Sequence, residues 1–138
     1  MSLAGMSQTA LHLAVSTADM GLGYRIDHRF GDYGIYTSAI KGNYRFDENI
    51  YIKDHVWISF GGMKFLDDSP FSAQFISAGI NYHSYGEKAF PEGFINTSVF
   101  APVSAEIGCG LRFKRFSTAI NIDLMKMDVN INFGIVLN

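Results

Sequence analysis

One cysteine, Cys109, in a chain of 138 residues leaves no intramolecular disulfide and no multi-cysteine metal site. It lies among alternating apolar residues, where a free cysteine acts as a small hydrophobe. Charge is also scarce, with 17% Asp, Glu, Lys and Arg against roughly 25% in globular proteins generally. The formal net charge of -2 leaves no basic surplus for phosphate neutralisation, which argues against a nucleic-acid partner. No run approaches the ~18 consecutive apolar residues of a membrane helix. A membrane β-barrel stays open, because its strands need only about 9–11 residues with alternate ones apolar.

What the chain has in abundance is alternation. Ile107, Cys109, Leu111 and Phe113 alternate with Glu106, Gly108, Gly110 and Arg112. Thr118, Ile120, Ile122 and Leu124 alternate with Ser117, Ala119, Asn121 and Asp123, and Val129 to Leu137 repeats the pattern against Asn130, Asn132 and Gly134. Successive side chains of a pleated strand project to opposite sides, so a period of two marks strands with chemically distinct faces.

The same rhythm runs through Leu11–Val15, changes phase around Ala18-Asp19, and resumes over Met20–Ile26 and Tyr33–Phe46. Ile50–Leu66 is β-rich with mixed faces, and Gly61-Gly62 within it marks a bulge or a close backbone approach. Asp67-Asp68-Ser69-Pro70 is a turn, Phe71–Tyr85 a strand and Gly86–Gly93 the longest polar loop. Phe94–Phe113 is one strand or two, because Pro102 cannot donate to a ladder. About eight strands result, or nine if the chain breaks at Pro102, with no segment of helical period. The expected fold is all-β, an antiparallel up-and-down β-barrel, with a two-sheet sandwich as the rival. One domain is expected over residues 10–138, after a disordered segment 1–9 that resembles the end of a signal peptide or an added start.

A soluble barrel turns its apolar parity inward, and a membrane barrel turns it outward. The polar parity is rich in Gly and Asn, with Gly21, Gly23, Gly79, Gly108, Gly110, Gly134, Asn121, Asn130 and Asn132. Residues of that size suit a narrow lumen. The charges on it, Arg25, Asp27, Glu106, Arg112 and Asp123, are of both signs and would pair as an interior polar network. On the other parity, Tyr24, Tyr36, Tyr44, Tyr82 and Phe113, with Phe46 and Phe116, lie toward strand ends as an aromatic girdle would. Core aromatics of a soluble β-domain would read the same way.

The strands Gly21-Leu-Gly-Tyr-Arg25 and Gly108-Cys-Gly-Leu-Arg-Phe113, with the turn Tyr44–Ile50, resemble those of small outer-membrane β-barrel proteins of Gram-negative bacteria, the OmpA-type eight-stranded class. The turn is similar to that class's tight periplasmic turns. Such barrels commonly finish on an aromatic residue, whereas this chain finishes Leu137-Asn138. The resemblance implies a bacterial outer-membrane location, a lipid bilayer or detergent as partner, and a structural, adhesive or accessory-subunit role without enzymatic activity. Protein partners would meet the loops 67–70 and 86–93.

Motifs for chemistry are thin. His12, His28, His55 and His83 are far apart in sequence and lack metal-ligand spacing, so no metal is expected. Asp54-His55 and Asp67-Asp68-Ser69 come without a nucleophile elbow. The glycine pairs are not a dinucleotide fingerprint, since no helix follows them, and no cofactor is expected. Besides the membrane barrel, two readings stay open: a soluble lipocalin-like barrel holding a small apolar ligand, and a β-rich subunit of a larger assembly.

Overall fold

The computed structural model describes residues 7–17, 20–45, 51–69, 71–84, 88–89 and 102–137. Nine antiparallel strands are present: β1 (Gln8–Ser16), β2 (Leu22–Phe30), β3 (Tyr33–Arg45), β4 (Tyr51–Asp68), β5 (Ser72–Ser84), β6 (Lys88–Ala89), β7 (Val103–Phe113), β8 (Phe116–Asp123) and β9 (Val129–Leu137). All but the two-residue β6 form one closed sheet in the order β3-β2-β1-β9-β8-β7-β5-β4, and the β3–β4 pairing seals the circle. The fold is an all-β, eight-stranded, up-and-down barrel, not a sandwich. β6 only extends the end of β4, pairing Lys88 with Ile52 and Ala89 with Tyr51.

β1 starts at Gln8, two residues before the expected domain start, because Gln8 and Thr9 pair with Arg29 and His28 of β2. Both residues are polar, so neither face announced the strand. The mixed stretch is one long strand, β4. It turns Trp57, Met63 and Phe65 inward and Ile58, Phe60 and Leu66 outward, so both of its faces carry apolar residues. Pro102 lies just before β7 and its carbonyl accepts from His83 N at 2.7 Å. The phase change at Ala18-Asp19, Phe46 and most of the loop 86–93 lie outside the described residues.

Three connections are tight: 31–32, 69–71 and 114–115. They share one end of the barrel with the first and last strand termini. Gly31 sits at φ 64°, a left-handed conformation that lets β2 turn into β3 within two residues. The connections 17–21, 46–50, 85–102 and 124–128 fall at the opposite end. Residues 46–50 of the Tyr44–Ile50 turn lie outside the described residues.

Register fixes the barrel's width. The row of paired residues Tyr33, Lys64, Ile76, Cys109, Ile120, Ile131, Val15, Leu22 and Lys41 runs once round the wall and returns to β3 eight residues further along. Eight strands with that stagger tilt by about 35° and enclose a radius of about 7–8 Å, a lumen that side chains fill.

The apolar parity faces out. Leu13, Leu22, Ile26, Ile35, Ile58, Phe60, Ile80, Ile107, Ile120, Phe133 and Ile135 are all exposed, while Arg25, Arg29 and Arg112 are buried. Inward glycines make room for particular neighbours. A Cβ on Gly61 would lie 2.6 Å from the Tyr36 ring, and one on Gly79 would collide with the Tyr36 hydroxyl. Outward-facing Gly62 has only a carbonyl oxygen within reach, at 3.9 Å. Gly79→Val should therefore destabilise the folded barrel by about 1–3 kcal/mol through overpacking, whereas Gly62→Val should leave it nearly unchanged. Urea midpoints of the two variants in detergent micelles check this, and equal midpoints would show that Tyr36 does not occupy that space.

Candidate functional site

The barrel interior holds nearly all the chemistry the chain possesses. β2 contributes Arg25, Asp27 and Arg29 at alternate positions, all pointing inward. Arg112 reaches Asp27 from β7, which lies diametrically opposite β2 in the strand order, so this ion pair spans the lumen. Arg25 Nε adds a second cation 3.5 Å from Asp27 Oδ2, and His12 Nε2 stands at the same distance.

Further bonds cross between non-adjacent strands. Arg25 Nη1 donates to Asn121 Oδ1 at 2.7 Å, and the Tyr36 hydroxyl donates to Glu106 Oε1 at 2.5 Å. Asn121 Nδ2 in turn donates to Ser77 on the non-adjacent β5 and to Glu106 on the neighbouring β7, each at 3.2 Å. The expected network residues Arg25, Asp27, Glu106, Arg112 and Asp123 are thus all interior, but they fall into two groups. Asp123 stands with the second, toward the end that carries the longer connections.

In that second group Asp123 accepts from Ser104 Oγ and, at 2.8 Å, from Asn81 Nδ2. Its other oxygen accepts from the backbone N–H groups of Met125 and Lys126 at 2.9 Å each, which shapes the turn into β9. His83 Nε2 lies 2.9 Å from Ser104 Oγ and 3.2 Å from Asp123 Oδ2, while its Nδ1 faces His55 Nε2 at 3.0 Å. A serine–histidine–carboxylate relay needs the hydroxyl and the carboxylate on opposite ring nitrogens. Here both sit on Nε2 and Ser104 is buried, so these three side chains are not arranged as such a relay. Among the described residues no three or more His, Cys, Asp or Glu side chains are grouped to hold a metal.

Apolar plugs flank the networks. Tyr36, Met63, Phe65 and Phe75 cluster toward the tight-turn end, with the Arg29 guanidinium 4.0 Å over the Phe65 ring. Trp57, Ile40 and Ala14 cluster at the other end, with the Trp57 and His83 rings 5.1 Å apart.

The five expected girdle residues separate. Tyr82 and Phe113 are exposed on the outer face near opposite rims. Tyr24 is also exposed but pairs with Leu13 and Ala39, inside the apolar band. Tyr36 is corrected: it is buried in the lumen, because β3 turns its even-numbered residues inward. The side chain of Tyr44 lies outside the described residues. Sequence reading under-counted a ring at the tight-turn end, where Phe30, Tyr33 and Phe71 join the expected Phe113 and Phe116, all exposed. Their adjacency to the turns was the available signal.

No protein-family model matches the chain, and no curated protein matches it. Solved structures do. The N-terminal β-barrel domain of OprF from Pseudomonas aeruginosa is similar over 96% of this chain and 99% of its own, with 16% identity and a TM-score of 0.59. The Yersinia pestis outer membrane protein Ail in a phospholipid bilayer nanodisc is similar over 96% and 100%, with 13% identity and a TM-score of 0.56. A de novo designed transmembrane β-barrel is similar over 99% and 98%, with 10% identity and a TM-score of 0.55.

The chain has the fold of the small outer-membrane barrels. Its interior ion pairs predict unequal costs. Asp27→Ala leaves Arg112 without its cross-lumen counter-charge and should cost about 3–5 kcal/mol; Arg112→Ala leaves Asp27 with Arg25 alone and should cost less, but still more than Lys64→Ala on the outer face, which should cost under about 1 kcal/mol. Equal unfolding midpoints for Arg112→Ala and Lys64→Ala in lipid vesicles would rule out a cross-lumen lock.

Proposed function

We propose that this chain is a non-enzymatic outer-membrane β-barrel, a closed structural body whose contacts with partners are made through the longer connections away from the chain termini. The observation that carries this reading is the outer wall. Among the strand residues whose side chains are described, only Lys41 and Lys64 place a charge on that wall. Tyr33, the partner of Lys64, is eight residues from Lys41 on β3. At about 3.3 Å per residue and a tilt of about 35°, the two cation levels lie about 20 Å apart along the axis. Between them the wall is apolar, and water would meet it at a steep cost.

A lipid-facing exterior also accounts for the interior, since charged groups removed from lipid must be paired within the lumen. A soluble lipocalin-like barrel would hold an apolar cavity where this one holds three arginines. The plugged lumen favours a structural, adhesive or accessory role over a pore. Of the two loops expected to meet partners, 67–70 lies with the tight turns and 86–93 at the opposite end, so they would serve different sides.

Refolding by dilution from urea into phospholipid vesicles tests the reading. The expected outcome is a heat-modifiable band on a denaturing gel, together with protection of Cys109, which is exposed on the outer wall, from a charged thiol reagent but not from a bilayer-permeable one. A folded, monodisperse chain in plain buffer without detergent would sink the membrane reading. Planar bilayers containing the folded chain should carry no steady current, and sustained conductance would overturn the closed lumen.

A further inference from the structure

Among the described strand residues Gly62 is the only glycine on the outer face, and its partner across the β4–β5 ladder is Ala78. The two small residues open a groove of about 360 Å³ in the wall, bounded by Tyr33, Lys64 and Ile76. A second hollow of about 300 Å³, lined by Leu66, Cys109 and Ile120, lies on the other side of Ile76, which forms the ridge between them. Lys64 and Tyr33 lie at the level of the aromatic ring, and Gly62 and Ala78 lie two residues further into the apolar band. The groove therefore runs from a cation at the rim into the apolar wall.

Lys64 makes no hydrogen bond or ion pair with any described residue, and Asp32 in the adjacent turn does not pair with it. An unpaired ammonium at the head of an apolar groove matches an amphiphile whose anionic head and hydrocarbon tail are joined end to end. We propose that this groove binds one anionic phospholipid of the leaflet at the tight-turn end, with its phosphate on Lys64 and an acyl chain along Gly62 and Ala78. The site rests on the membrane reading above. Lys41, at the opposite rim, lines neither of these two hollows and serves as the control.

Native mass spectrometry of the full chain refolded in micelles tests the site, with phosphatidylglycerol and phosphatidylcholine as probe lipids. The wild-type chain should carry a single phosphatidylglycerol adduct in preference to phosphatidylcholine. Lys64→Gln should lower that adduct about fivefold, the worth of one cation against an anionic surface. Gly62→Leu, which fills the groove without touching Lys64, should remove it, and Lys41→Gln should leave it unchanged. Equal adducts on all four forms, no preference between the lipids, or a dimer that Gly62→Leu breaks would each overturn the site. The heat-modifiable band is read in the same micelles. Failure of the wild-type chain to fold there counts against the membrane reading, and a folded barrel without a selective adduct counts against the lipid site alone.

Discussion

Eight strands closed with a stagger of eight residues leave a lumen so narrow that two long side chains reaching in from facing walls must meet. That width governs everything inside. A large residue can enter only where its neighbours are small, which is why Tyr36 lies against Gly61 and Gly79 and why the Phe75 ring occupies the space beside Gly110. A charged residue can enter only where a counter-charge is within reach, as Arg112 reaches Asp27 across the full diameter. Size complementarity and charge complementarity thus follow from one closure geometry.

Among the described residues, three guanidinium and four carboxyl groups are buried: Arg25, Arg29 and Arg112 with Asp27, Glu106, Asp123 and Asp128. Near-balance of sign keeps the buried charge tolerable, and bonds such as Asn121 to Ser77 and Asn81 to Asp123 tie strands that do not share a ladder. Backbone ladders hold each strand to two neighbours, whereas these side chains hold it to strands further round. The wall is thereby braced from within, and the outer face is free to be apolar.

Parity was legible in the sequence because lumen and exterior demand different chemistry. The alternation from Ala105 to Asn138 assigns those three strands to the right faces residue by residue. It misleads where the lumen itself is apolar. Tyr36 and Ile40 resemble exterior residues until the register turns them inward, and Trp57, Met63 and Phe65 blur both faces of β4. Long-range pairing was not legible. His55 and His83 are 28 residues apart, and only the β4–β5 register stacks their rings at 5.2 Å. The groove beside Lys64 was hidden for the same reason, since Gly62 and Ala78 become neighbours only across that ladder.

For a bilayer-embedded barrel, as proposed above, the spacing of the two outward lysines would also set a preferred membrane thickness. A hydrophobic belt of about 20 Å is shorter than the ~30 Å hydrocarbon core of an average bilayer. Set in such a bilayer, the barrel would draw the surrounding lipid thinner, at a fraction of a kcal/mol for each Å of mismatch. On that reading, lateral sorting toward thin membranes, and toward other short-belted proteins that already thin the lipid around them, would follow from the eight residues that separate Tyr33 from Lys41.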